Sequence, residues 1–525
     1  MSQSPKYSPG KHANICLLLE GTYPYVRGGV SSWVKQLIEG MPDLMFSIVF
    51  LGGSASEYDK PAYEIPANVV HIENHYLIGS DKEAPAKKKF WARKSDKTAI
   101  FYRNTELHET LAESNGPLGR EVIRDFTNML CGENAITRTD LNHSDEAWEA
   151  IREKYIDAPP GLDFNHFFWT VRTMHSPLFT LANIAKNAPP ADVYHSVSTG
   201  YAGYLGAMLK ARTGAPYIIS EHGIYTKERE IDLAHVDWIP EELDPFRVGL
   251  DDSMGYLRQT WIRFFQSLGR MSYSNADHVY TLFNGNRLRQ IDDGADESRL
   301  TIIPNGVNVQ NLRTCRRADD AAIPPVVALI GRIVPIKDIK TFIRAMRIVV
   351  AKVPEAEGWL IGPENEDPDY AEECKALLKS FGLDDSVKFL GFQKVGELLP
   401  KIGVTALTSV SEGQPLVTLE GFAAGIPAVT TDVGSCSELI HGVTDDDRAI
   451  GSAGGVVPIA NPALFADEVI KLLDDEDNWR RASRAAVTRV EKYYDEKDML
   501  IRYRDIYDDN IDQSRRSTMP KAEGF

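Results

Sequence analysis

TSVSEGQPLVTLEGFAAGIPAVTTDVGSCSELI, residues 408–440, decides how the chain is to be read. A short apolar strand ends at Ser409, a loop carries Glu412 and Gly413, and Pro415 stands where a helix begins, because proline loses no hydrogen bond in the first helical position. Gly425 and Pro427 end that helix. Such a strand–loop–helix turn leaves unpaired backbone N–H groups around Leu416 and Val417, where the helix dipole favours an anion. Glu420 lies about 7.5 Å further along the axis, and helical side chains lean back toward the N-terminus. Glu412 and Glu420 therefore flank one anion site, placed to accept hydroxyls on either side of it.

Outward from this stretch, short runs rich in Val, Ile and Leu alternate with helical patterns, the signature of buried parallel strands with crossover helices. NICLLLEG (14–21), FSIVFLGG (46–53), VVHIEN (69–74), DVYHSV (192–197), PYIISEHG (216–223) and HVYTLF (278–283) form one series. PVVALIG (325–331), EGWLIG (357–362), VKFLGF (387–392), VTALTS (404–409), PAVTT (427–431) and GGVVPI (454–459) form a second. The fold class is α/β, with two Rossmann-like domains: 1–312, carrying a charged, aromatic, helical insertion at about 75–190, and 313–490. TIIPNGVNVQNL (301–312) reads as the connection. A last amphipathic helix is expected over 491–510, with the tail to 525 frayed.

Upstream of the deciding stretch, LIGRIVPIKDIKTFIRAM (329–346) puts Arg332 just after a strand and Lys337 at the start of the next helix. Both fall at the carboxyl end of the second sheet, where they can neutralise a diphosphate and stabilise a leaving nucleotide. Near the N-terminus, Gly28 and Gly29 precede a helix starting at about Ser31 and let backbone amides approach a ligand. No GxGxxG and no GxxxxGK[ST] occurs, against a dinucleotide oxidoreductase or an NTPase. His222, in IISEHGIY, is placed to touch a transferred sugar or an acceptor, and His195 reads as structural.

Composition narrows the partners. Across 525 residues the formal charge is −17, which opposes a nucleic-acid surface. Cys16, Cys131, Cys315, Cys374 and Cys436 lack CxxC spacing, so neither a disulfide framework nor a metal site is expected, and a reducing, cytoplasmic setting is. No run is long and apolar enough to span a bilayer or to serve as a signal segment. The basic KKKFWARKSDK (87–97) is expected to be a solvated face, or else a contact to an anionic membrane or a secretion partner. The DPD at 367–369 is expected to be solvated rather than metal-binding.

Together GGV, EHG, PNGVN, GRxxxxK, the Glu412-to-Glu420 spacing and the following GxP resemble the GT4 family of retaining GT-B glycosyltransferases. The opening EGTYPYVRGGVSSWV (20–34) resembles the cytoplasmic branch serving Pel exopolysaccharide synthesis, with an inner-membrane secretion complex as an implied partner. The resemblance covers about residues 14–510. It implies two domains facing across a cleft, a last helix crossing back onto the first domain, a UDP-sugar donor such as UDP-glucose or a UDP-N-acetylhexosamine, a glycan acceptor and no required cofactor or metal. By position, Arg332 and Lys337 would hold the diphosphate, Glu412 and the backbone from Gln414 through Pro415 and Leu416 to Val417 the sugar, and Glu420 the ribose. The backbone near Phe392 would meet the base, Gly28 and Gly29 the phosphate, and His222 the reacting sugar. Asp338 stands where many relatives have Gly, and Gln414 where many have an aromatic-glycine pair. A UDP-sugar epimerase and a non-catalytic nucleotide-sugar-binding scaffold share the cleft and stay open as alternatives.

Overall fold

Two parallel sheets organise the chain. A computed structural model describes residues 12–78, 97–113, 116–236, 238–239, 255–318 and 320–518. The first sheet consists of β1 (Ala13–Glu20), β2 (Phe46–Gly52), β3 (Val69–Tyr76), β4 (Ala191–Ser196), β5 (Tyr217–Glu221), β6 (His278–Thr281) and β7 (Leu300–Ile302), in the order β3-β2-β1-β4-β5-β6-β7. The second consists of β8 (Val326–Ile330), β9 (Glu357–Ile361), β10 (Val387–Gly391), β11 (Val404–Leu407), β12 (Ala428–Thr431) and β13 (Gly454–Val457), in the order β10-β9-β8-β11-β12-β13. Leu17 of β1 lies opposite Ile48 of β2 on one side and His195 of β4 on the other, both pairings parallel. Consecutive residues Ile15 to Leu19 are all buried, which is why β1 reads as an apolar run rather than an alternation.

The chain forms two compact units: one holds the residues up to Thr281, Arg287–Thr301 and the stretch from Arg504, and the other holds Leu282–Asn286 and Ile302–Tyr503. The second unit thus begins about ten residues before the expected boundary at 312, and TII opens with strand β7. The reason is local pairing: Val307 N–H donates to Tyr494 O at 2.9 Å, Glu496 N–H donates to Val307 O at 3.0 Å, and Val307 and Val309 pack in that unit's core.

Among the described residues between β3 and β4 stand five helices, Thr98–Glu113, Arg120–Cys131, Arg138–His143, Asp145–Ile156 and Phe164–Asn187. Residues 87–96 of the basic stretch lie outside the described residues; Lys97 pairs with Asp140 at 2.5 Å. The expected helix over 491–510 is two helices, Glu476–Tyr493 and Glu496–Thr518, parted where Asp495 bridges to Val307, and the second runs well past 510. From Arg504 this helix belongs to the first unit, where Tyr507 packs on Phe46 and its hydroxyl meets His195 Nδ1 at 2.7 Å. Asp367 is the N-cap of the helix Pro368–Ser380, accepting from Tyr370 N–H at 3.0 Å, so the first Asp of DPD has a capping role.

In the second unit Arg489 is fully buried. Its Nε donates to Asp447 Oδ1 at 2.7 Å, and its terminal nitrogens donate to the carbonyls of Ile440, Asp447 and Gly451. Such a guanidinium is tolerated only because its donors are satisfied. Arg489→Ala is expected to cost about 3–5 kcal/mol, because Asp447 is left buried and unpaired. Equilibrium denaturation reads this as a lower midpoint, and a loss under about 1 kcal/mol would contradict the role assigned to the network.

Candidate functional site

In each sheet the strand order reverses beside one strand, between β1 and β4 and between β8 and β11. The segments leaving two such strands turn to opposite faces and open a crevice at the strands' carboxyl ends. Arg332, Lys337, Glu412 and the glycines Gly28 and Gly29 follow strands at these two places, whereas His222 follows β5 and Phe392 follows the edge strand β10.

In the second unit, the loops after β8 and β11 are sewn together. Thr408 Oγ donates to the carbonyls of Lys337 (2.9 Å) and Asp338 (3.1 Å), and Val410 N–H donates to Ile336 O (2.9 Å). This brings Lys337 Nζ to Glu412 Oε1 at 2.5 Å, and Ser409 Oγ donates to the same oxygen at 2.6 Å. Lys337 lies in the short turn Pro335–Lys337 rather than in the next helix, which starts at Ile339. Asp338 between them adopts φ 43°, the left-handed region that favours glycine; its carboxylate compensates by capping Thr341 N–H at 3.2 Å. The Glu412 loop packs on Gly434, where an added Cβ would stand 2.2 Å from Gly413 O and 2.4 Å from Glu412 O.

Helix Leu416–Ala423 follows directly, with Pro415 at its N-cap and not at its first helical position. The amides of Leu416 and Val417 sit in a first turn that has no preceding carbonyls to bond. Glu420, further along, carries a carboxyl that burial raises to about 7. Gln414 is buried, and its side-chain oxygen accepts from Asn305 N–H of the PNGVN motif at 2.6 Å, which leaves its side-chain N–H donors and its backbone to meet a ligand. Arg332 is not drawn into this cluster through an ion pair: its guanidinium pairs with Glu366 at 2.7 Å in an exposed contact. Phe392, just past β10, is 70% exposed.

In the first unit Gly28 caps the helix Gly29–Gly40, which starts two residues earlier than Ser31, and both glycines are exposed. Trp33 on this helix meets the His222 ring edge-on, centroids 4.6 Å apart. His222 follows β5 and lines a cavity of about 790 Å³ with Glu20, Ser198, Glu228 and Arg229. His195 is wholly buried, its ring between Tyr507 and Ser220, and burial beside His222 lowers its pKa to about 3. It is a neutral core residue.

Sequence reasoning missed Glu221. Buried at the end of β5, it accepts from Thr199 Oγ and Gln290 Nε2, both at 2.8 Å, from Tyr225 N–H at 3.1 Å and from the Tyr273 hydroxyl. Burial raises its pKa and the four donors pull it back. Glu221 thereby fixes the segment that presents His222. Glu20, at the carboxyl end of β1, was also passed over, although its position at a strand end was a usable signal; it accepts from the Tyr225 hydroxyl at 2.8 Å.

A family model described as "Domain of unknown function (DUF3492)" matches residues 13–298, more than half of the chain, and one described as "Glycosyl transferases group 1" matches residues 324–475. A D-inositol 3-phosphate glycosyltransferase of Nocardia farcinica is 29% identical over 209 residues, covering 38% of this chain and 45% of that protein. An N-acetyl-alpha-D-glucosaminyl L-malate synthase of Bacillus anthracis is 31% identical over 176 residues, covering 33% and 42%. The chain thus spans less than half the length of these two curated relatives. Among solved structures, Anabaena HepE in complex with UDP superposes with a TM-score of 0.57 at 14% identity, covering 94% of this chain and 100% of that one. Sucrose-phosphate synthase from Thermosynechococcus elongatus gives 0.54 at 15%, covering 94% and 98%. The fold shared with both is the GT-B arrangement of two Rossmann-like parallel sheets.

Glu420 and Glu228 both rise from 4.5 to about 7, chiefly through desolvation. Each holds in the folded state a proton that the unfolded chain has released between about pH 4.5 and 7, so stability is expected to fall as pH rises through that window. Melting temperatures from pH 5 to 8 check this. Glu420→Gln should flatten the fall, and an unchanged slope in that variant would show that Glu420 ionises normally.

Proposed function

The chain belongs to the DUF3492 family, and on that premise, with the glycosyl transferases group 1 match of its second half, we propose that it is a retaining glycosyltransferase. Its donor is a UDP-sugar, UDP-glucose or a UDP-N-acetylhexosamine, and its acceptor a growing exopolysaccharide. The observation that carries this reading is the Lys337–Glu412 pair, set in the β8/β11 crevice in the loop leading to the helix Leu416–Ala423. Cation, carboxylate and unpaired amides on one strand edge suit a sugar diphosphate better than any uncharged ligand. The UDP held by HepE supports the choice of nucleotide.

In this reading the bond from the sugar to the diphosphate breaks as negative charge gathers on UDP. Lys337 and the amides of Leu416 and Val417 stabilise that charge, and they are in place before the reaction begins. Arg332 adds a second cation once it leaves Glu366. Glu412, already oriented by Ser409, exchanges its Lys337 contact for hydroxyls of the sugar. Glu420 accepts the ribose hydroxyls in its ionised form, the backbone near Phe392 meets the base, and Gly28 and Gly29 admit a phosphate. His222 touches the sugars on the acceptor side. Protein cations offset the diphosphate, so the chemistry requires no metal ion. The opening EGTYPYVRGGVSSWV supports the finer placement beside PelF, the Pel exopolysaccharide glycosyltransferase, acting in the cytoplasm with partners of an inner-membrane secretion complex.

A panel of UDP-glucose, UDP-galactose, UDP-N-acetylhexosamines and GDP-mannose, read by binding and by nucleotide release, tests the proposal. Lys337→Ala and Glu412→Ala should each lower nucleotide release by about 10²–10³-fold. If no nucleotide sugar binds, or if both variants match the parent protein, the proposal fails. UDP affinity should also rise roughly tenfold from pH 6 to pH 8 as Glu420 ionises, a dependence absent in Glu420→Gln. Titration calorimetry at the two pH values measures it.

A further inference from the structure

The cavity beside His222 has a wall that the Rossmann-like sheet does not supply. One side is formed by the carboxyl ends of β1, β4 and β5, through Glu20, Ser198 and His222. The opposite side comes from the inserted helices Arg138–His143 and Phe164–Asn187, through Arg138, Trp169 and Arg172. The insertion thus closes over the strand edge at which the β1/β4 order reverses.

Three features of this enclosure point to one class of ligand. Trp169 is 60% exposed and Trp238 61%, unusual for the largest apolar side chain, and both line the same cavity. Each is held by another lining residue: the Arg172 guanidinium lies 5.6 Å from the Trp169 ring centroid, and Trp261 meets Trp238 edge-on at 5.5 Å. Second, polar atoms of the wall lack hydrogen-bond partners among the described residues, namely Thr22 Oγ, Ser198 Oγ and Arg229 Nε. Buried polar groups are ordinarily satisfied, so an orphaned set around one cavity marks where a ligand's hydroxyls belong. Third, Glu228 is exposed and lines the same cavity, adding a carboxyl to its wall. A cavity of about 790 Å³ with aromatic faces, bidentate cations and carboxylates is lined as a carbohydrate site is, with ring faces for stacking and polar groups for hydroxyls.

We infer that this cavity binds a glycan of two or more sugar residues, with Trp169 and Trp238 as two stacking stations, and that the inserted helices set which chain the protein accepts. The inference rests on the glycosyltransferase reading and names its acceptor as an oligosaccharide rather than a monosaccharide, a sugar phosphate or a lone lipid. Two separate ring faces require two rings. A monosaccharide would occupy one and leave the other empty.

The test uses the full chain and two oligomer series, N-acetylglucosamine and β-1,4-linked glucose, each of one to five units, followed by tryptophan fluorescence and calorimetry. Affinity in at least one series should rise tenfold or more between one and three units, with the emission changing on binding. Trp169→Ala and Trp238→Ala should each weaken the trimer at least tenfold and melt with the parent protein, since both side chains are exposed. Trp169→Phe, which keeps a ring face, should recover most of the loss. Affinity independent of length, binding of the monosaccharide alone, no binding of either series, or variants that match the parent protein would each overturn the inference. UDP affinity measured on the same samples separates the two readings: oligosaccharide binding without UDP binding sinks the donor assignment and leaves this site standing.

Discussion

The reversal of strand order in each sheet is the constraint from which the sites follow. Where β4 returns to the far side of β1, and β11 to the far side of β8, no crossover covers the gap between the departing loops. The loops that leave those strands must therefore satisfy their own backbone groups. They do so with each other: Thr408 bonds the carbonyls of Lys337 and Asp338, and Thr431 Oγ donates to Ser409 O at 2.6 Å. The Lys337–Glu412 pair is a consequence of this stitching.

Charge is handled in two ways around these crevices. Glu221 and Arg489 are buried and surrounded by partners, four donors for the first and a carboxylate with several carbonyls for the second. These are positional devices, since a buried charge with every bond made holds the backbone around it in one arrangement. Glu228 and Glu420 differ. Desolvation raises both to about 7, and neither has the dense set of donors that Glu221 has. Carboxyls left under-solvated at a cavity or beside a helix N-terminus are suited to gain their partners from a ligand.

The inserted helices show how one sheet can acquire a new surface without altering its strands. β1 to β6 pair with parallel neighbours, with one register shift between Phe46 and Ser47 where β2 meets β3, and the additional residues enter between β3 and β4. Their contribution is a wall of the His222 cavity, and with it Trp169 and Arg172. Loops and insertions on a fixed scaffold are where selectivity is most easily changed, because the strands need not change with them.

Much of the architecture was legible in the order of residues. Strands buried on both faces must be continuous apolar runs, so NICLLLEG and FSIVFLGG announced β1 and β2 to within a residue. The strand–loop–helix turn at 408–440 was equally readable, since glycine and proline act through local backbone preference; only the placing of Pro415 shifted, to the cap. What sequence alone could not settle was long-range pairing. That Glu412 meets Lys337, that Gln414 is engaged by Asn305 while Arg332 faces Glu366, and that Glu221 is the anchor behind His222 all depend on residues brought together from distant parts of the chain. The β7 strand and the break at Asp495 escaped for the same reason, each existing through a partner elsewhere in the chain. Local chemistry therefore determined the elements and the kinds of groups at their ends. Tertiary structure decided which of those groups face each other, because hydrogen bonds, ion pairs and desolvation depend on distance in space and not on separation along the chain.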